Sequence, residues 1–258
     1  MTDGAETPET DPSAPTARAP KVWPLLLLPL PVIALVVAVG LWAIGRGDTA
    51  KPAPSGQQKT QAPAGGSVDP SLAAIAVQQS DLPSPSIRCA FSGDVQTYIQ
   101  RLKDAGSDSH ESVVQTWQQL QEKGATAAYM AFWGDAQPAC DSVISPSNTM
   151  DHGGGSMHPT VTFSLVVGYQ TPENAEAAYS ADIFGQTKLR PSPTFEVTTG
   201  AETGLGPNSV VGLTPKAPLP LHQAVWQNGT VTVFYGSENL PLDKSKQVTE
   251  AINSRIKP

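Results

Sequence analysis

Apolar and polar positions divide this chain into unlike stretches. Val22 to Ile44 reads VWPLLLLPLPVIALVVAVGLWAI, without a charged residue. A helix rises about 1.5 Å per residue, so ~20 apolar residues cross a hydrocarbon layer of roughly 30 Å. Trp23 and Trp42 stand near its two ends, where indoles favour the headgroup region. The pattern predicts a single-pass transmembrane helix over 22–44, kinked by Pro24, Pro29 and Pro31. A cleaved signal peptide is the alternative. Its apolar core would be about 7–15 residues long and end at a small-residue site. Here the run is longer and leads into Gly45-Arg46-Gly47-Asp48, with no cysteine after it for lipidation. An uncleaved anchor fits better.

Beyond the anchor the period changes twice. Val95, Tyr98, Ile99 and Leu102 recur at helical spacing behind Ser92 or Asp94 as caps, with Gly106 as the stop. Val113, Val114, Trp117 and Leu120 form a second stripe, starting at Asp108 or Ser109 and ending at Gly124. Ala125 to Trp133 (ATAAYMAFW) reads as a third, mostly buried helix. From Pro159 the period is two. Val161, Phe163, Leu165, Val167 and Tyr169 predict a half-buried strand. Thr171-Pro172-Glu173 opens another helix, with Thr171 at the N-cap and Pro172 at N1. Phe195–Thr199 and Ser209–Leu213 read as strands, and Asn228-Gly229 as the type I′ turn of a hairpin. Val248, Ile252 and Ile256 put one apolar face on a last helix, Asp243–Ile256.

The expected fold class is α+β: an N-terminal transmembrane helix, then a helical subdomain packed with a mainly antiparallel sheet and a C-terminal helix. The segments are a disordered tail (1–21), the span (22–44), a Pro/Gly/Gln-rich linker (45–68) and one domain (69–258). Within that domain the helical part runs from about 71 to 144. A loop follows at 145–159, and the α+β part is 160–258. Pro, Thr and acids dominate the tail, which has too little apolar surface to offset the entropy of ordering it.

Charge refines this picture. The chain has a formal net charge of −7, and residues 69–258 alone carry 11 basic and 18 acidic residues. Nucleic acid needs a basic footprint and is excluded as a partner. The linker is net +2, suited to anionic headgroups. Arg18 and Lys21 before the span, against Arg46, Lys51 and Lys59 after it, slightly oppose a cytoplasmic N-terminus. Two facts weigh the other way. Long domains translocate largely regardless of charge, and the chain's two cysteines, Cys89 and Cys140, read as a disulfide formed in an oxidising compartment. Two buried thiols are the alternative. The expectation is a cell-membrane protein with a cytoplasmic N-terminus and an extracytoplasmic domain. With no C-x-x-C spacing, the cysteine pair is structural.

Several stretches carry a resemblance. A Pro/Thr/acidic tail, one span and a Pro-rich spacer precede SDLP (Ser80–Pro83) and the cysteine pair. VTFSLVVGYQTPENAEAAY, GAETGLGPNSVVG and VWQNGTVTVFYG follow. This order resembles actinobacterial membrane-anchored envelope proteins with sensor-like or lipoprotein-like (PsbP-like) extracytoplasmic domains. The resemblance implies a binding, sensing or assembly module and carries no catalytic residue across. The lipidated cysteine of the lipoproteins is missing here.

Candidate chemistry is sparse. Met150-Asp151-His152-Gly153-Gly154-Gly155-Ser156-Met157-His158 gathers thioethers and imidazoles, which suit copper. Met150, His152, Met157 and His158 are the candidate ligands, against the simpler reading of a Gly-rich linker. His152-Gly153-Gly154-Gly155 resembles an esterase oxyanion-hole sequence, but no G-x-S-x-G accompanies it. Gly204-Leu205-Gly206-Pro207 is a turn, not a dinucleotide loop. Asn228-Gly229-Thr230 matches a glycosylation acceptor that hairpin geometry already explains. His110 and His222 stand alone. Asp135, Asp141, Glu173, Glu176, Glu196 and Glu202 show no acid/base pairing. Trp117, Trp133 and Trp226 read as core, one of them a candidate to line a pocket. The expected function is therefore non-enzymatic, with no catalytic residue and no required cofactor. The partners are the membrane, through one helix, and an unidentified small ligand or envelope protein. Copper handling by the 150–158 loop is the first alternative, and an uncharacterised envelope enzyme the second.

Overall fold

The computed structural model describes residues 70–144, 159–215 and 219–256. In chain order the helices are α1 (Pro70–Ile75), α2 (Val95–Asp104), α3 (His110–Glu122), α4 (Gln137–Ile144), α5 (Pro172–Ser180) and α6 (Leu242–Arg255). The strands are β1 (Ile87–Arg88), β2 (Gly93–Asp94), β3 (Ala125–Gly134), β4 (Val161–Tyr169), β5 (Glu196–Thr199), β6 (Ser209–Leu213), β7 (Leu221–Asn228) and β8 (Val231–Glu238). All eight join one sheet in the order β1-β3-β4-β8-β7-β6-β5, with β2 beside the other half of β3. Every ladder among them is antiparallel. The α+β class with a mainly antiparallel sheet and a C-terminal helix holds.

Helices cover both faces of this sheet, and strand alternation sorts the core into two. Ala128, Met130 and Phe132 of β3 pack with α2, α3 and α4 through Tyr98, Leu102, Trp117 and Val143. Tyr129, Ala131 and Trp133 point the other way, onto α1 and α6 with Leu72, Val248 and Ile252. This corrects the reading of ATAAYMAFW as a helix. A strand buried on both faces shows a continuous apolar run that periodicity cannot separate from a buried helix. The same burial corrects β4 from half-buried to buried. Thr162 and Ser164 alternate with its apolar residues, yet are 2% and 0% exposed.

Other local expectations survive with adjustments. Asp94 caps α2, its carboxylate accepting from the Gln96 and Thr97 N–H groups at 3.0 Å. Thr171 caps α5 with Pro172 at its start. The β7–β8 hairpin exists, but Asn228 pairs with Val231, so its two loop residues are Gly229 and Thr230. Gly229 has φ +55° and Thr230 has no positive φ, which matches the glycine-first II′ loop in place of I′. The expected register differs from this one by two residues, and a two-residue shift leaves every side chain on its own face. Alternation alone therefore could not choose. Gly236 on β8 faces Phe163 so closely that an added Cβ would lie 2.3 Å from its ring.

Cys89, between β1 and β2, is bonded to Cys140 in α4. The closed loop holds α2, α3 and β3, and at a separation of 51 residues it is worth about 4 kcal/mol in the chain-entropy model. The Val22–Ile44 span, the tail and the linker lie outside the described residues. Among the described residues no helix is long and apolar enough to cross a membrane.

Candidate functional site

The first described segment runs like a strap over the α1/α6 face of the sheet. Leu72, Ile75, Ala76 and Val77 are buried there. The Val77 N–H donates to Ser164 Oγ on β4 at 3.0 Å, and its carbonyl accepts from Trp133 Nε1 on β3 at 3.1 Å. These two bonds explain a buried serine in an otherwise apolar strand and an indole aimed across the sheet. A short turn, Gln79–Asp81, follows. Its Asp81 carboxylate accepts from the Gln78 N–H and forms a bidentate pair with Arg255 in the last turn of α6, at 2.7 and 3.0 Å. This pair is the one salt bridge among the described residues. Arg255 also donates to the Ile75 and Ala76 carbonyls, both at 3.2 Å. Arginine's planar fork suits such a role, satisfying a carboxylate and two helix-end carbonyls together.

Beyond Asp81 the same stretch becomes the wall of a cleft. Leu82 to Ser86 line it together with Trp133, Thr162 and Leu240. Asp135, Thr160, Asn239 and Pro241 complete a space of about 200 Å³ at the end of β3, β4 and β8. Two bonds shape its rim: the Asp135 N–H donates to the Thr160 carbonyl at 3.2 Å, and the Thr160 N–H donates to Asp135 Oδ2 at 2.9 Å. They extend the β3–β4 ladder one step past the strand ends. Asn239 takes a left-handed φ of +58° and turns the chain from β8 into α6.

Two buried titratable groups flank this architecture. His222 on β7 is 1% exposed, edge-on to the Tyr235 ring at 5.5 Å. Neither of its ring nitrogens has a hydrogen-bond partner. Burial, with Lys246 of α6 adding to it, lowers its pKa to about 4. Glu238, at the end of β8 opposite Val161 and Leu221, is 4% exposed. Burial pushes its carboxyl up to about 7.

The expected site residues fare unequally. Cys89 and Cys140 are joined. Met150, Asp151, His152, Met157 and His158 lie outside the described residues. Among the described residues no group of three or more His, Cys, Asp or Glu is placed to hold a metal. His222 belongs to the core, and His110 begins α3, half-buried. Asp141 on α4, Glu173 and Glu176 on α5, Glu196 on β5 and Glu202 in the turn after it are exposed, and only Asp135 of the named carboxylates borders the cleft. Trp117 and Trp226 are core, whereas Trp133 lines the cleft at the sheet's end. Sequence reasoning missed Asp81, Ser164, Glu238 and Arg255. An arginine closing an amphipathic helix was the one local signal.

Neither a family model nor a curated protein matches this chain. Among solved structures, the extracellular domain of PknH from Mycobacterium tuberculosis is similar with a TM-score of 0.37 and 11% identity, over 73% of this chain and 96% of that one. So slight a likeness assigns neither a fold family nor a role.

Proposed function

We propose that this chain is a non-enzymatic, membrane-anchored binding and sensing module whose domain lies outside the cytoplasm. One observation carries the reading. The cleft wall and the strap nearest the linker are one piece of chain, 70–86, pinned to the sheet at Val77 and to α6 at Asp81. A ligand resting against Leu82–Ser86 therefore touches the stretch that leads back toward the Val22–Ile44 span. It shifts the balance between a latched and a released strap only as far as it binds one better than the other. The Cys89–Cys140 bond supports an oxidising compartment. A cleft with one carboxylate among the described residues that line it supports binding over general acid/base work, which needs placed partners. The partners are the bilayer, through one helix, and a small ligand or envelope protein.

The test is topology in intact cells. An impermeant protease should release the domain from outside, and Cys89 and Cys140 should resist maleimide until reduced. A domain protected in intact cells, with thiols that label without reductant, overturns the reading.

A further inference from the structure

We propose that the cleft lined by Leu82–Ser86, Asp135, Thr160 and Thr162 takes a neutral, hydroxyl-rich ring, the size of one sugar residue. The inference rests on the outward binding module above and names the ligand class of that site. Size is the first constraint. About 200 Å³ lies below the roughly 300–1,000 Å³ of pockets for drug-sized ligands, so one ring fits and a nucleotide or cofactor does not.

Charge is the second. Among the described residues Asp135 is the only charged one lining the cleft, with no Lys, Arg or His there to receive a phosphate or carboxylate. An anion would meet a like charge without compensation. A cation would gain only an exposed ion pair with Asp135, which water screens to little, without an open aromatic face to add to it. Trp133 is only 7% exposed, and its Nε1 is committed to the Val77 carbonyl.

The third constraint is the mixture of surfaces. Leu82, Pro83, Pro85 and Pro241 present C–H surface. Ser84, Ser86 and Thr160 present hydroxyls, those of Ser86 and Thr160 as acceptors because each already donates to a backbone carbonyl. A sugar ring has the same mixture, apolar C–H faces edged by hydroxyls. Asp135 is exposed and gives Oδ2 to the Thr160 N–H. Oδ1 then accepts a charge-assisted bond from a ligand hydroxyl.

The experiment is an NMR titration of the isotope-labelled full chain in a detergent without a sugar headgroup. The probes are glucose, arabinose and N-acetylglucosamine, with glucosamine, glucuronate and glucose 6-phosphate as charged comparators. At least one neutral sugar should shift the Trp133 indole and Thr160 amide signals saturably. Asp135→Asn keeps an acceptor for the Thr160 N–H but removes the charge, and should raise Kd about tenfold. Thr160→Tyr fills the cleft and should abolish the shifts. Unchanged amide spectra far from the cleft show that both variants fold. Three results overturn the proposal: saturation by charged comparators alone, shifts indifferent to both variants, or no shift with any probe at tens of millimolar. A sugar-blind domain that proves outward in the protease and thiol test refutes the ligand class alone. An inward domain refutes the sensing module whichever sugar it binds.

Discussion

Replacing His222 by leucine should stabilise the domain near neutral pH and remove part of its acid sensitivity. His222 is 1% exposed, and both ring nitrogens are without a partner. A neutral imidazole has one donor and one acceptor, and an unpaired buried polar group costs about 1–3 kcal/mol. Leucine has neither and nearly the same bulk, while a change of shape at constant volume costs under about 1.5 kcal/mol. The expected gain is about 1–2 kcal/mol. Acid adds a second effect. The unfolded imidazole takes its proton near 6.5 and the folded one only near 4. Stability is therefore intact above the first value and falls as pH drops through the second. The gap of about 2.5 units corresponds to about 3 kcal/mol, all of which the His222→Leu variant escapes. Urea unfolding followed by tryptophan fluorescence, between about pH 8 and pH 4, reads both effects. Two outcomes refute the reasoning: a neutral-pH loss above about 1 kcal/mol, as expected if trapped water satisfies the ring, or parallel curves for the two proteins.

Glu238 titrates in the opposite sense. Its folded pKa of about 7 lies above the ordinary 4.5, so the domain is most stable below the lower value and loses stability as pH rises through the upper. Glu238→Gln should recover at most about 3 kcal/mol above neutrality, and an unchanged alkaline limb in urea unfolding refutes this. Because the two groups oppose each other between 4.5 and 6.5, wild-type stability should be nearly flat there. Arg255→Met leaves Asp81 at 7% exposure with the Gln78 N–H as its remaining bond. It should cost about 2–4 kcal/mol and speed hydrogen exchange at Val77 before the sheet; unaltered exchange there rejects the latch. Cys89→Ser with Cys140→Ser should lower stability by about 4 kcal/mol, checked by thermal unfolding with and without reductant.

Periodicity located much of this fold, for a stated reason. Where one face of an element is wet, as in α2, α3 and α6, the stripe of apolar residues is visible in the sequence. Where both faces are dry and both are apolar, as in β3, the signal vanishes and a strand passes for a helix, whereas Thr162 and Ser164 keep the alternation visible in β4. Turn chemistry placed the β7–β8 hairpin within one residue but could not choose between registers that bury the same side chains. The cleft was harder still. Asp135 and Trp133 are two residues apart, yet Ser86, Thr160 and Asn239 join them only after three strands end together. The latch was invisible because Asp81 and Arg255 are 174 residues apart and neither sits in a motif.

The strap also gives the domain a mechanical grain. Tension applied at Pro70 loads the Arg255 fork and the two Val77 bonds before any long strand ladder. Once those yield, the chain pays out from 70 to 88, roughly 60 Å at full extension. There it meets Cys89, and the covalent link to Cys140 carries the load across to α4. Pulling should thus give one early extension step of fixed length, with only the short edge strand β1 lost and the rest of the sheet still paired behind it. In a reducing bath that stop disappears, and the same tension runs on into β2 and α2.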